Sequence, residues 1–151
     1  MLGRMQRSAD FERVLASPTR ARSAHFAAHH VAQAPSRPQR PAARPHPGTL
    51  STGDPEVCAQ AVDESDRAAP DRCWFGAVVP KRHARKAATR NLLRRQIRAA
   101  MDRHHAGLPH GLWLVRLRAP FDGRQYRSAT SAVLCGAARD ELEALLTRAA
   151  A

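Results

Sequence analysis

Read from the amino terminus, apolar residues first recur with helical spacing at Phe11, Val14 and Leu15, an i, i+3, i+4 triplet within residues 8–16. Ser8 or Asp10 can cap this short helix, and Pro18 stops it. Residues 23–31, alanine-rich but closed by Val31, suit a strand. Periodicity is lost from 33 to 72. It returns at 73–79 (Cys-Trp-Phe-Gly-Ala-Val-Val), the strongest strand pattern in the chain, ended by Pro80. A helix is predicted from about 85 to 104, because Leu93, Ile97, Ala100, Met101 and His104 share one face; Gly107 and Pro109 end it. A strand over 111–118 sets Trp113, Val115 and Leu117 on one side, with Arg116 and Arg118 on the other. Residues 120–123 turn the chain. Ala138, Leu142, Leu145, Leu146 and Ala149 then predict a closing amphipathic helix whose start Gly136 leaves open. The order helix, strand, insert, strand, helix, strand, helix implies an α+β fold, a small sandwich of helices on a short sheet.

A length of 151 residues fits one domain, 1–151. Seven of the eleven prolines fall within 33–72, which turns acidic towards its end (Asp54, Glu56, Asp63, Glu64, Asp66, Asp71). We read 33–72 as a disordered Pro-rich insertion between two strands, since neither flank is large enough to fold alone.

Charge changes the picture. The net value is +12, but residues 73–118 hold eleven basic side chains and one acidic, so +10 sits there. Residues 1–34 contribute +3 (five against two), 35–72 contribute −1 (five against six), and 119–151 balance at four each. Within 81–98 there are eight basic residues (Lys81, Arg82, Arg85, Lys86, Arg90, Arg94, Arg95, Arg98) and no carboxylate. A merely solvated helix mixes signs to form i,i+4 pairs. On a helical wheel Asn91, Arg94, Arg95 and Arg98 point away from the apolar stripe, so one face docks on a core and the next meets an anion. Twenty-three of the twenty-five basic residues are Arg, a bias that GC-rich coding also produces, so arginine's bidentate chemistry is not the argument. The exclusion of acids is.

Cys58, Cys73 and Cys135 are widely spaced without a Cys-x-x-Cys, which points to a reducing cytosol and away from a disulfide framework or zinc site. The start of the chain lacks an apolar signal core, and no run approaches 18 apolar residues, so neither secretion nor a membrane is expected. His25, His29 and His30 cluster, but no acidic or thiol ligand lies near them to complete a metal site; they read as polar-face or RNA-facing residues.

The run Val79-Pro-Lys81-Arg82, Arg85-Lys86-Ala87, Arg90-Asn91-Leu92-Leu93-Arg94-Arg95, Arg98 resembles the signature of the bacterial ribonuclease P protein subunit. That family shows a strand ending in a Lys-Lys pair, then an Arg-Asn-Arg box continuing into a helix. Asp10-Phe11 and Val14-Leu15 resemble its first helix, 112–118 its last strand, and the resemblance covers about 4–31 and 73–149. Leu92 stands where the family has the second Arg of the box, and on the wheel it lies outside the apolar stripe. Leu15 stands where an aromatic is common, and the 33–72 insertion is atypical.

The resemblance implies a sandwich with a left-handed crossover around the basic helix. It also implies a subunit that binds a catalytic RNA and the 5′ leader of precursor tRNA, promoting 5′ maturation. Lys81, Arg82, Arg85, Lys86, Arg90, Asn91, Arg94, Arg95 and Arg98 would face the RNA subunit, and Phe11, Phe26 and His25 would line the leader cleft. Composition supports that division independently: the basic region 73–118 holds only Asp102, and the acids of 35–72, scattered over a floppy segment, are not expected to fix two Mg²⁺ ions for phosphodiester hydrolysis. Mg²⁺ would enter through the RNA subunit, no catalytic residue is expected on the protein, and no obligate protein partner is needed. Two other readings remain, a ribosomal or assembly-type RNA-binding protein and a DNA-binding protein. The second lacks helix-turn-helix spacing and a dimerising heptad.

Overall fold

A computed structural model of the protein describes residues 2–37, 70–128 and 131–151. Its elements are β1 (Leu2–Arg4), α1 (Ser8–Ala16), β2 (Thr19–Arg22), β3 (Phe26–Val31), β4 (Cys73–Val78), α2 (Ala87–His104), a 3-10 turn at His105–Gly107, β5 (Gly111–Leu117) and α3 (Ala132–Ala150). The strands form one sheet in the order β1-β4-β5-β3-β2. Parallel neighbours β4 and β5 are joined by a crossover through α2, while β3 runs antiparallel to β5 and β2 to β3. The mixed α+β architecture matches expectation.

Both faces of the sheet are covered, which explains why β5 reads as an almost unbroken apolar run. Trp113, Val115 and Leu117 join Phe26, Phe75 and the inner faces of α2 and α3 in one cluster. Leu112 and Leu114, on the opposite side, join Met5 and Val14, with Phe11, Val31, Trp74 and Val78 packed around them. So α1 forms one layer, the sheet the second, and α2 with α3 the third. Every residue of the two predicted helical stripes that is apolar is buried: Leu93, Ile97, Ala100 and Met101 in α2, and Ala138, Leu142, Leu145, Leu146 and Ala149 in α3. Gly136 does not interrupt α3, which starts at Ala132 with Ser131 Oγ accepting from the Leu134 N–H at 3.1 Å.

Several expectations need correction. The strand expected over 23–31 begins only at Phe26, as β3, because residues 23–25 form a turn pinned by Glu141 of α3, whose carboxylate accepts from Ser23 Oγ, the His25 N–H and His25 Nδ1; β2, before that turn, was not expected. Neither Ser8 nor Asp10 caps α1. Arg7 occupies that position without a side-chain bond, and Asp10 is buried, accepting from the Ser36 N–H (3.0 Å) and Oγ (2.7 Å). Arg13 reaches the same segment, donating to Gln33 Oε1 and Ser36 Oγ. The start of the proposed 33–72 insertion, through residue 37, is thus tied to α1; the rest of that expectation, 38–69, lies outside the described residues.

Leu92 is a core residue, only 5% exposed. α2 packs against both β4 and α3, so its buried arc is wider than the single stripe first drawn. Leu15 is not core: it is 40% exposed.

Two imidazoles make the fold pH-sensitive. Burial pushes His29 below its usual 6.5; the bond from Nδ1 to the Ser17 carbonyl opposes this, and Arg116 and Arg22 push further down. His30 is lowered by burial too, against its bond to the His110 carbonyl. With folded values below the unfolded one, the unfolded chain takes up more protons. Stability is therefore full above about 6.5 and lost as pH falls below it. Thermal melts are expected to show a lower Tm at pH 5.5 than at 7.5, with a smaller drop in His29→Gln.

Candidate nucleic-acid interface

α2 begins with its positive end unanswered. Lys86 occupies the N-cap without a side-chain bond, and the first turn contains no acidic residue. A helix N-terminus already carries about half a positive charge, and here Lys81, Arg82, Arg85 and Lys86 surround it, all exposed. That concentration of like charge is unfavourable until an anion arrives.

Arg90 differs from its exposed basic neighbours. It lies over the apolar stripe, is half-buried, and its Nη1 donates to the carbonyls of Ala84 (3.0 Å) and Arg85 (2.7 Å). It fastens the loop that presents its basic neighbours. Asn91, Arg94, Arg95 and Arg98 are exposed as the wheel predicted. Among the described residues, Arg98 has one carboxylate within reach, Asp102 at 3.8 Å, with both side chains more than half exposed (61% and 52%). Such a pair is weak and easily exchanged for a phosphate.

β1 covers only the first half of β4, pairing with Cys73 to Phe75. Where that cover ends, a pocket of about 240 Å³ opens between α1 and α2, lined by Phe11 and Met5 on one side and Arg94, Arg95 and Arg98 on the other. Gly76 forms its floor. A Cβ there would come within 2.5 Å of Phe11 Cε1 and 2.6 Å of Met5 Cε. Gly76→Ala is expected to push Phe11 from its seat at a cost of about 1–3 kcal/mol, read as a lower urea midpoint; an unchanged midpoint would mean the ring moves freely.

Phe11 is therefore brought to the basic face, but Phe26 and His25 are not brought to Phe11. Phe26 is fully buried on the other side of the sheet, since Phe26 and Ala28 point towards α2 and α3 while Ala27, His29 and Val31 point towards α1. His25 is held by Glu141 (2.7 Å) and stacks on Phe121 (4.0 Å). The expected cleft of Phe11, Phe26 and His25 does not exist as such.

A different groove does, on the α1 side, lined by Leu15, Arg22, His29 and Arg116 among others. Its floor holds two buried nitrogens without a hydrogen bond among the described residues, His29 Nε2 and Arg116 Nε. Buried polar atoms are rarely left so. Because His29 Nδ1 donates to the Ser17 carbonyl, Nε2 of the neutral ring is an acceptor, and becomes a donor when the ring is protonated. Arg22 and Arg116 were not singled out in the sequence because they lie in different strands, far apart along the chain; their position beside His29 across paired strands was the available signal.

No three His, Cys, Asp or Glu side chains converge to hold a metal ion among the described residues. The carboxylates near the basic face are engaged otherwise, Glu143 with Arg103 (2.8 Å) and Asp102 with Arg98. No helix among them is long and apolar enough to cross a membrane.

The model of the family described as Ribonuclease P matches residues 2–149. Among curated proteins, the chain is similar to the ribonuclease P protein component of Paraburkholderia xenovorans, 44% identical over 78 residues, 50% of this chain and 55% of that protein. It is also similar to that of Bordetella parapertussis, 37% identical over 93 residues, 62% of this chain and 68% of that one. The chain thus spans about half the length of the first of these relatives. Among solved structures, its fold is similar to the Staphylococcus aureus RNase P protein, with a TM-score of 0.56 and 15% identity, covering 95% of this chain and 92% of that one.

Proposed function

Because this chain belongs to the Ribonuclease P family by a match over residues 2–149, we propose that it is the protein subunit of a ribonucleoprotein endonuclease, binding a catalytic RNA and helping it remove 5′ leaders from precursor tRNA. The observation that carries this reading is the joining of Arg94, Arg95 and Arg98 with Phe11 around the open half of β4. Cations that neutralise phosphates release counterions, and an aromatic ring can stack a base for roughly 1–3 kcal/mol without reading its identity. Such a surface holds RNA and suits leaders that differ in sequence.

The chemistry belongs to the RNA. Among the described residues no three His, Cys, Asp or Glu side chains converge to hold the ions that phosphodiester hydrolysis uses; in this reading Mg²⁺ would be held by the RNA subunit, while the protein lowers repulsion between it and its substrate. Lys81, Arg82, Arg85, Lys86, Asn91, Arg94, Arg95 and Arg98 face the RNA subunit in this reading, and Arg90 shapes their loop. The leader follows the groove of Leu15, Arg22, His29 and Arg116, where a phosphate would supply the partner that Arg116 Nε lacks among the described residues.

Reconstitution tests it. The protein, mixed with a bacterial ribonuclease P RNA and a precursor tRNA at low Mg²⁺, is expected to stimulate 5′ cleavage. Binding without stimulation would favour a structural RNA-binding role instead.

A further inference from the structure

On the far side of the α2 N-terminus lies a second pocket, of about 310 Å³, between the loop that follows β4 and the segment that follows β5. Its size is within the range of small-ligand sites. Leu93 lies at its base, Phe121 and Tyr126 line it from the post-β5 segment, and Arg85, Lys86 and Arg127 stand at its mouth. No carboxylate is among its lining residues.

The aromatic wall is fixed in advance. Phe121 stacks on His25 with ring centroids 4.0 Å apart and planes 10° apart, and His25 Nδ1 is held by Glu141 at 2.7 Å. Phe121 also meets Phe26 edge-on at 5.9 Å. Tyr126 stands perpendicular to Phe121 at 5.5 Å and 84°, its N–H bonded to the Asp122 carbonyl at 2.9 Å. One ring of this stack is anchored in the core and the last, Tyr126, is half-exposed at the pocket. A binding surface whose rotamers are already locked loses little entropy on binding.

We propose that this pocket receives one unpaired nucleotide splayed out of the RNA subunit, its base against Tyr126 and its flanking phosphates on Arg85, Lys86 and Arg127. The proposal rests on the reading that the α2 surface faces that RNA. An apolar floor with an aromatic side suits a base, and a wholly cationic mouth suits the phosphodiesters on either side of it. Unstacked bases held by aromatic rings are the usual currency of RNA recognition outside helices. The site is separate from the Phe11 pocket, with which it shares no lining residue.

Ultraviolet crosslinking of the full chain to ribonuclease P RNA, mapped by mass spectrometry, tests it. A single-nucleotide adduct is expected on the tryptic peptides spanning 119–127. Tyr126→Ala is expected to weaken RNA binding about tenfold, as loss of one stacked base predicts, with the slope against salt unchanged; Tyr126→Phe should bind as the parent does. If Tyr126→Ala fails to fold by circular dichroism, the adduct on the parent protein decides. Adducts confined to other peptides, while Arg94→Ala weakens binding, would overturn the pocket and leave the RNA-binding reading standing. Failure of the parent protein to bind the RNA would remove both. An adduct abolished by millimolar AMP without loss of RNA affinity would assign the pocket to free nucleotides and overturn the proposal.

Discussion

Replacing Arg94, Arg95 and Arg98 together by alanine is expected to weaken binding to ribonuclease P RNA on the order of 100-fold near physiological salt. All three are exposed, so the loss carries no packing penalty. Each phosphate contact contributes about 0.7 to 0.9 to the slope of log affinity against log salt, so the slope should flatten by roughly two to three. The far-UV spectrum should not change. Arg98 lies 6.0 Å from the Phe75 ring, and its link to Asp102 is solvated, so removing it leaves no buried charge behind. Filter binding across a salt series measures both quantities; an unchanged slope would place these arginines outside the interface.

The largest loss of stability is expected from Trp113→Ala, about 3–5 kcal/mol, because the side chain is fully buried and a cavity would remain. Trp113 sits in β5 between β3 and β4. Its Nε1 donates to the Pro109 carbonyl at 2.9 Å, the His30 ring stacks on it at 4.5 Å, and Arg20 lies over it at 5.7 Å. Small domains are stable by only about 5–15 kcal/mol in all. Urea unfolding should show a large fall in midpoint, and Trp113→Phe, which keeps most of the volume, a much smaller one. A loss below about 1 kcal/mol would mean that the sheet closes over the gap.

The parts of the fold that were legible in the sequence are those where one residue pattern marks one inward face. α3 shows it best: five positions at helical spacing face α2 and the sheet, and all five are buried. Sequence could not reveal β1, whose three residues are a strand only because Cys73 to Phe75, far along the chain, pair with them. β2 (Thr-Arg-Ala-Arg) offers no large apolar residue to announce itself. Phe26 was placed in the cleft by the resemblance and not by a face assignment; with the turn at 23–25 and β3 starting at Phe26, alternation along the strand puts Phe26 on the α2 and α3 side and His29 on the α1 side. Arg90 was not legible in full: charge groups it with its neighbours, while geometry sets it over the stripe, its Nη1 donating to two backbone carbonyls. The exposure of Arg94, Arg95 and Arg98 was legible because the wheel set them away from the apolar stripe.

β3 ends at Val31 beside Leu112, and β4 begins at Cys73 beside Gly111, so the main chain leaves and rejoins the sheet at one rim with a single strand between. The loops after β4 and β5, with their cationic mouth, are at the other rim. Closing a longer excursion between two fixed, neighbouring ends costs only about 0.6 kcal/mol for each doubling of its length. That rim is therefore a seam at which the polypeptide tolerates growth, and where a reporter domain can be grafted while the opposite end stays free to meet nucleic acid.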